Sequence, residues 1–230
     1  MKAVVCPKYG PPEVLEIKEV AKPVPKDHEI LVKVMATTVT VADVRSRSFT
    51  VPRSVWIPAR IALGIRKPKR PILGMELAGE VEAVGKAAKR FRIGDQVFAA
   101  TLADFGAYSE YICLSENGAV ALKPDNIGYE EAAAIPIGAR TALHFLRKAK
   151  VREGQKILIY GASGSVGTYA VQLAKFLGAH VTGVCSTSNV EWVRALGADE
   201  VVDYTKEDFS AGGSKYDVIF ETVSKSSFAA

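Results

Sequence analysis

Cysteine is scarce in this chain: Cys6, Cys113 and Cys185 are scattered over 230 residues, and no two form a C-x-x-C pair. That spacing excludes a disulfide framework and a zinc site built on paired cysteines. Long apolar runs are missing as well. The longest uncharged stretch, 157–174, carries Gly161, Ser163, Gly164, Ser165 and Gly167 in its middle, which disqualifies it as a membrane span. The start, Met1 to Pro7, is too short in its apolar part for a secretory signal, so the expected location is cytoplasmic. Acidic residues are absent between Arg45 and Arg70, where eight basic ones stand (Arg45, Arg47, Arg53, Arg60, Arg66, Lys67, Lys69, Arg70). The net charge of +5 therefore sits in one segment, and the rest of the chain has 22 basic against 25 acidic residues. Such a run is either a solvated loop or an attractor for a phosphorylated cofactor or polyanion. Nucleic acid is not the expected partner, because Phe49 and Trp56 are too few aromatics for a stacking platform.

What is present is ordinary globular composition, 48% hydrophobic and 24% charged, enough to bury a core. The first 122 residues read as β-rich. Short apolar runs at 2–6, 30–36, 80–84, 95–99 and 108–114 are separated by Gly10-Pro11-Pro12, Pro23-Val24-Pro25, Gly85 and Gly94. That rhythm predicts an antiparallel barrel or folded sheet. Pro52, Pro58 and Pro68 make 45–70 a long loop or short helical pieces. From Lys123 the pattern changes to strands alternating with helices. A helix is expected over 130–148, interrupted at Pro136 and Gly138, then a strand over 156–160 and a glycine-serine turn. Val166, Ala170, Leu173, Ala174 and Leu177 form one apolar helical face that Gly178 ends. Strands at 180–185, 200–202 and 216–220 and a helix at 189–196 follow. Repeated units of this kind predict a doubly wound parallel sheet. Four such strands stand where a complete dinucleotide-binding sheet has six, so either the second half is absent or another chain covers the open edge.

Gly161-Ala162-Ser163-Gly164-Ser165-Val166-Gly167 follows a predicted strand and opens a predicted helix. In that context small residues admit a pyrophosphate and the helix N-terminus supplies free N–H groups. The competing reading is a turn made small for close helix–sheet packing. A nucleophile elbow is excluded, since G-x-S-x-G would need glycine at Ser165, and His28, His144 and His180 show no local pairing with the turn. A P-loop is excluded because Gly79 to Gly85-Lys86-Ala87 has the wrong spacing and lacks the hydroxyl residue. No Asp or Glu occurs from Ala162 to Val190. An acid at the end of the second strand would bind the ribose hydroxyl of NAD; its absence, with Cys185-Ser186-Thr187-Ser188-Asn189 in its place, favours NADP(H) over NAD(H). The same polar residues would also suit capping of the next helix.

Several motifs occur in one order along essentially the whole chain. They are Gly10-Pro11-Pro12-Glu13-Val14-Leu15, Gly74-Met75-Glu76-Leu77-Ala78-Gly79, Gly94-Asp95-Gln96-Val97, Gly106-Ala107-Tyr108-Ser109-Glu110-Tyr111, the glycine turn, Gly197-Ala198-Asp199 and Asp203-Tyr204. In these the sequence resembles the medium-chain dehydrogenase/reductase superfamily, specifically its zinc-independent quinone oxidoreductases and enone reductases. The resemblance implies an α/β protein. It would have a GroES-like β-barrel domain over 1–122 and a Rossmann-type parallel sheet over 123–230, incomplete at about four strands, as in a C-terminally truncated relative. The positions matching the zinc ligands of the alcohol dehydrogenases are Thr40, Met75 and Ile137, none a good ligand, so no metal is implied. Thr141 matches the threonine near the nicotinamide, and Ser163 to Val166 match the pyrophosphate loop flanked by Gly161 and Gly167. Ser186, Thr187, Ser188 and Tyr204 match the adenosine-phosphate pocket, and Thr40 matches a polar residue facing the substrate. The chain departs from the pattern at Glu221-Thr222-Val223-Ser224, where serine replaces a glycine near the cofactor.

The implied activity is NADPH-dependent hydride transfer to quinones or α,β-unsaturated carbonyls. Such chemistry belongs mostly to the cofactor, with the protein orienting it. No general acid stands out, and Thr40 is the nearest catalytic candidate. A nucleotide-binding or interaction protein without turnover is the alternative, and an exposed sheet edge would favour a homodimer.

Overall fold

A computed structural model describes residues 1–209 and 215–223. The chain divides into two compact units, Met1–Pro136 and Ile137–Ala230.

In the first unit, β1 (Lys2–Val5) pairs antiparallel with β2 (Glu16–Glu19). The main sheet is built from β3 (Glu29–Thr37), β4 (Glu76–Val84), β5 (Gln96–Ala100), β6 (Tyr111–Ser115) and β7 (Val120–Leu122), in the antiparallel order β6-β3-β4-β5-β7. Alternation supplies its core: Ile30, Val32, Leu77, Val81 and Val97 are fully buried. The pairing of β3 with β4 shifts register twice, at Leu31/Val32 and Val34/Ala36, and such bulges bend and twist a sheet. Two strands escaped the sequence reading for visible reasons. All four residues of β2 are exposed, so no buried face produces alternation, and β7 is three residues long.

The basic segment folds into α1 (Val41–Ser48), a 3₁₀ turn at Arg53–Val55, and α2 (Trp56–Leu63). Pro58 sits in the first turn of α2, where its missing N–H has no helical partner to lose. Four of the eight basic side chains have partners within the protein. Arg47 donates to the Gly10 carbonyl at 2.8 Å, and Lys69 to Ile61 O at 2.6 Å. The Arg60 guanidinium lies 3.7 Å over the Phe49 ring, and Arg70 pairs with Asp104.

The helix expected over 130–148 is two helices, α3 (Tyr129–Ala133) and α4 (Ile135–Lys148). Pro136, the second residue of α4, starts the new helix rather than kinking the old one. Ala132 and Ala133 of α3 pack with Ala78 of β4. Residues 123–136 therefore lie with the antiparallel sheet, although the change of pattern at Lys123 pointed to the other unit.

The second unit contains β8 (Lys156–Tyr160), α5 (Ser165–Phe176), β9 (His180–Cys185), α6 (Val190–Ala195), β10 (Glu200–Asp203) and β11 (Val218–Glu221). Its four strands run parallel in the order β10-β9-β8-β11. Ile157, Ile159 and Val181 from the strands meet Ala170, Val171 and Ala174 of α5 and Val193 of α6. The first strand in sequence thus lies between the second and the fourth. The order reverses between β8 and β11, the point at which open α/β sheets bind ligands. Among the described residues no helix is long and apolar enough to cross a membrane.

Candidate functional site

The glycine turn leaves β8 at this reversal point. Gly161 adopts φ +83°, which lets the chain turn sharply into α5. A Cβ on Gly161 would collide with Thr222 and Val223 beyond β11, and one on Gly167 with the Gly161 carbonyl and the Ala162 backbone. These two glycines serve close packing. Gly164 differs: it is exposed, its φ is an ordinary −79°, and a Cβ there would meet only Gly161 O, at 3.5 Å. It is the N-cap of α5 and provides no side-chain cap. The first helical bond is Thr168 N to Gly164 O at 2.8 Å, so the N–H groups of Ser165, Val166 and Gly167 have no acceptor within the helix. With the helix dipole they form an open anion cradle, flanked by Ser163, which is half-buried. α4 meets α5 at Gly138, where a Cβ would fall 2.6 Å from Ser165 Oγ. Thr141 stands one turn along α4 on that face. Ser224 lies outside the described residues.

At the end of β9, Ser186, Thr187 and Ser188 enter a 3₁₀ turn over Thr187–Asn189. Neither Ser186 nor Asn189 caps the following helix with its side chain; Asn189 Nδ2 instead donates to Ser186 Oγ at 3.0 Å. No carboxylate stands in 162–190, but the sheet supplies one from the next strand. Asp203 of β10, in register with Cys185, accepts from Thr187 Oγ1 at 2.6 Å and from Thr205 N and Oγ1 at 3.0 and 2.7 Å. These donors, the Thr187 hydroxyl foremost, hold its carboxyl down to about 2. Tyr204 N donates to Cys185 O at 3.1 Å, which places the half-exposed tyrosine beside the same loop. From the sequence, Asp203 stood out only as part of a family motif and Lys206 not at all, because cofactor choice is normally sought at the end of the second strand and Asp203 comes from the third.

In the first unit Thr40 is the N-cap of α1. Its hydroxyl donates to Asp43 Oδ2 at 2.6 Å, its own N–H to the same oxygen at 2.9 Å, and Asp43 N returns a bond to Thr40 Oγ1. Asp43 Oδ1 takes the Gly74 N–H at 3.2 Å, and the carboxylate is buried. Nearby, buried Glu76 accepts from Thr38 Oγ1 at 2.6 Å. Tyr108 donates to Thr38 O at 3.1 Å. Burial first, then the charges of Asp43 and Glu76, push the Tyr108 hydroxyl well above its usual range. The Thr40-x-x-Asp43 spacing matches a capping box, a signal that the sequence reading did not use, whereas nothing local in the sequence points to the Gly74 contact. Met75 packs beside Cys6, Leu73 and Phe105, and Ile137 belongs to α4. Among the described residues no three His, Cys, Asp or Glu gather as a metal site.

The family model for the alcohol dehydrogenase GroES-like domain matches residues 26–125, and that for zinc-binding dehydrogenase matches 165–230. The chain is 38% identical over 236 residues to a quinone-oxidoreductase homolog of Spinacia oleracea, covering 95% of this chain and 67% of that protein. It is 33% identical over 233 residues to an NADPH-dependent alkenal/one oxidoreductase of Arabidopsis thaliana, covering 97% and 57%. The quinone oxidoreductase of Coxiella burnetii superposes with a TM-score of 0.85 at 30% identity, over 97% of this chain and 68% of that one. The chain thus spans 57 to 67% of the length of these two curated relatives.

Proposed function

This chain belongs to the medium-chain dehydrogenase/reductase superfamily, on its quinone oxidoreductase side, and from that premise we propose an NADPH-dependent reductase of quinones or α,β-unsaturated carbonyls. The observation that carries the reading is the α5 N-terminus. It has three N–H groups without helical acceptors and an N-cap glycine that leaves their approach open, at the point where the strand order reverses. A pyrophosphate fits that cradle by charge and by space. When bound, the nicotinamide supplies a hydride to the electrophilic carbon of the substrate. The chain's own part is orientation and binding. Ser163 to Val166 hold the pyrophosphate, Thr141 flanks the nicotinamide, and Ser186, Thr187, Ser188 and Tyr204 surround the adenosine phosphate. Thr40 faces the substrate as a polar contact. Its proton is already shared with Asp43, so the proton that completes reduction comes from water. No metal takes part, because Thr40, Met75 and Ile137 present no zinc-binding donor set.

Titration of nicotinamide fluorescence tests the proposal. NADPH is expected to bind at least roughly tenfold more tightly than NADH, a difference of about 1.4 kcal/mol. Equal affinity, or tighter NADH binding, rejects the phosphate site. Elemental analysis should find no stoichiometric zinc; about one zinc per chain would overturn the metal-free assignment.

A further inference from the structure

The loop from Cys185 to Asn189 contains hydroxyls but no lysine or arginine. A 2′-phosphate bound there would face the Asp203 carboxylate with no cation from its own loop. Nor are the threonines free donors. The hydroxyl protons of Thr187 and Thr205 both point at Asp203, and their oxygens lie 2.9 Å apart. The fold nevertheless brings a cation to this place. Lys206 Nζ lies 3.6 Å from Asp203 Oδ2, the oxygen that Thr187 Oγ1 approaches at 2.6 Å. Ammonium and loop hydroxyl thus share an acceptor atom, although 19 residues separate them in sequence. The Lys206 side chain is 69% exposed against 11% for Asp203, so the amine can swing while the carboxylate stays. Its backbone is anchored, with Lys206 N donating to Asp203 O at 2.9 Å. An ion pair at that distance whose ammonium stands in solvent is weak and is readily exchanged for the stronger charge-assisted bonds of a phosphate.

We infer that Lys206 reads the adenosine 2′-phosphate of NADPH, leaving Asp203 for the phosphate oxygens when the cofactor binds. Asp203 then acts as a positioning residue. It fixes Thr187 and Thr205 and parks the lysine at the pocket when no cofactor is present. The inference rests on the NADPH reading above and names the residue that would make the choice between cofactors.

The test uses the 230-residue chain and measures dissociation constants for NADPH and NADH, with 2′,5′-ADP and 5′-AMP as probes of the phosphate alone. Lys206→Met keeps the aliphatic stem and removes the charge. It should weaken NADPH roughly tenfold more than NADH, in line with loss of one charge-assisted contact, and weaken 2′,5′-ADP more than 5′-AMP. It should also flatten the salt dependence of NADPH binding. Lys206→Arg should restore most of the preference, since guanidinium suits phosphate. A wild-type preference for NADPH that survives Lys206→Met overturns the lysine assignment and leaves the cofactor reading standing. A wild-type chain that binds neither cofactor overturns both.

Discussion

Two helices in this chain begin in opposite ways. α1 starts at Thr40, whose hydroxyl and N–H are met by Asp43, and the same buried carboxylate also takes the Gly74 N–H. α5 starts at an exposed glycine with no side-chain cap. Both helices face the same physical problem, first-turn N–H groups without helical acceptors. The first unit solves it internally and gains stability. The second leaves it open, and an anionic ligand is the natural partner. A polar residue near a helix start is therefore not equivalent evidence in the two places: Thr40 is engaged by its own protein, while Ser165 and Val166 offer N–H groups outward.

The sharpest break in that contrast lies within the glycine turn. Gly167→Ala should cost on the order of 3 kcal/mol of stability, because its Cβ would enter the Gly161 carbonyl and the Ala162 backbone; urea denaturation would measure it. Gly164→Asp should do the reverse, giving α5 the kind of cap α1 has. NADPH affinity should fall roughly a hundredfold as a carboxylate occupies the cradle, while the melting temperature stays level or rises slightly. Retained NADPH binding in that variant would show that the α5 N-terminus is not the pyrophosphate site. On the other side, Thr40→Ala should destabilise the protein by about 1 kcal/mol, with recovery in Thr40→Ser. A neutral result would mean that the Thr40–Asp43 box contributes nothing to α1.

The smallest effect concerns Tyr108 and alkaline pH. Its folded-state affinity for the proton is raised above the ordinary value of 10 by burial and the carboxylates of Asp43 and Glu76. The folded state therefore holds a proton that the unfolded state releases above that pH. Stability attributable to this group is level below pH 10 and falls as pH rises past it, by less than about 1 kcal/mol at pH 10.5. Tyr108→Phe should remove that part of the slope in denaturation curves taken between pH 9 and 10.5; an unaltered slope rules Tyr108 out as its source.

Local order was readable from the sequence because neighbours along the chain create it. The apolar run over 30–36 marked β3, and the spacing of Val166, Ala170, Leu173, Ala174 and Leu177 placed the core face of α5. The glycine turn, the helix stop at Gly178 and the absence of a carboxylate in 162–190 were likewise visible. The residues that refine the candidate site were not. Asp203 meets Thr187, and Lys206 meets Asp203, because β10 lies beside β9 in the sheet. Gly74 reaches Asp43 because the chain before β4 runs past the start of α1. Residues 123–136 joined the antiparallel sheet because two alanines of α3 fit against Ala78. Periodicity and turn chemistry are set by the covalent neighbourhood. Which strand lies beside which is set by the burial of whole faces, and only that step puts an acid and a lysine next to a loop whose own sequence contains neither.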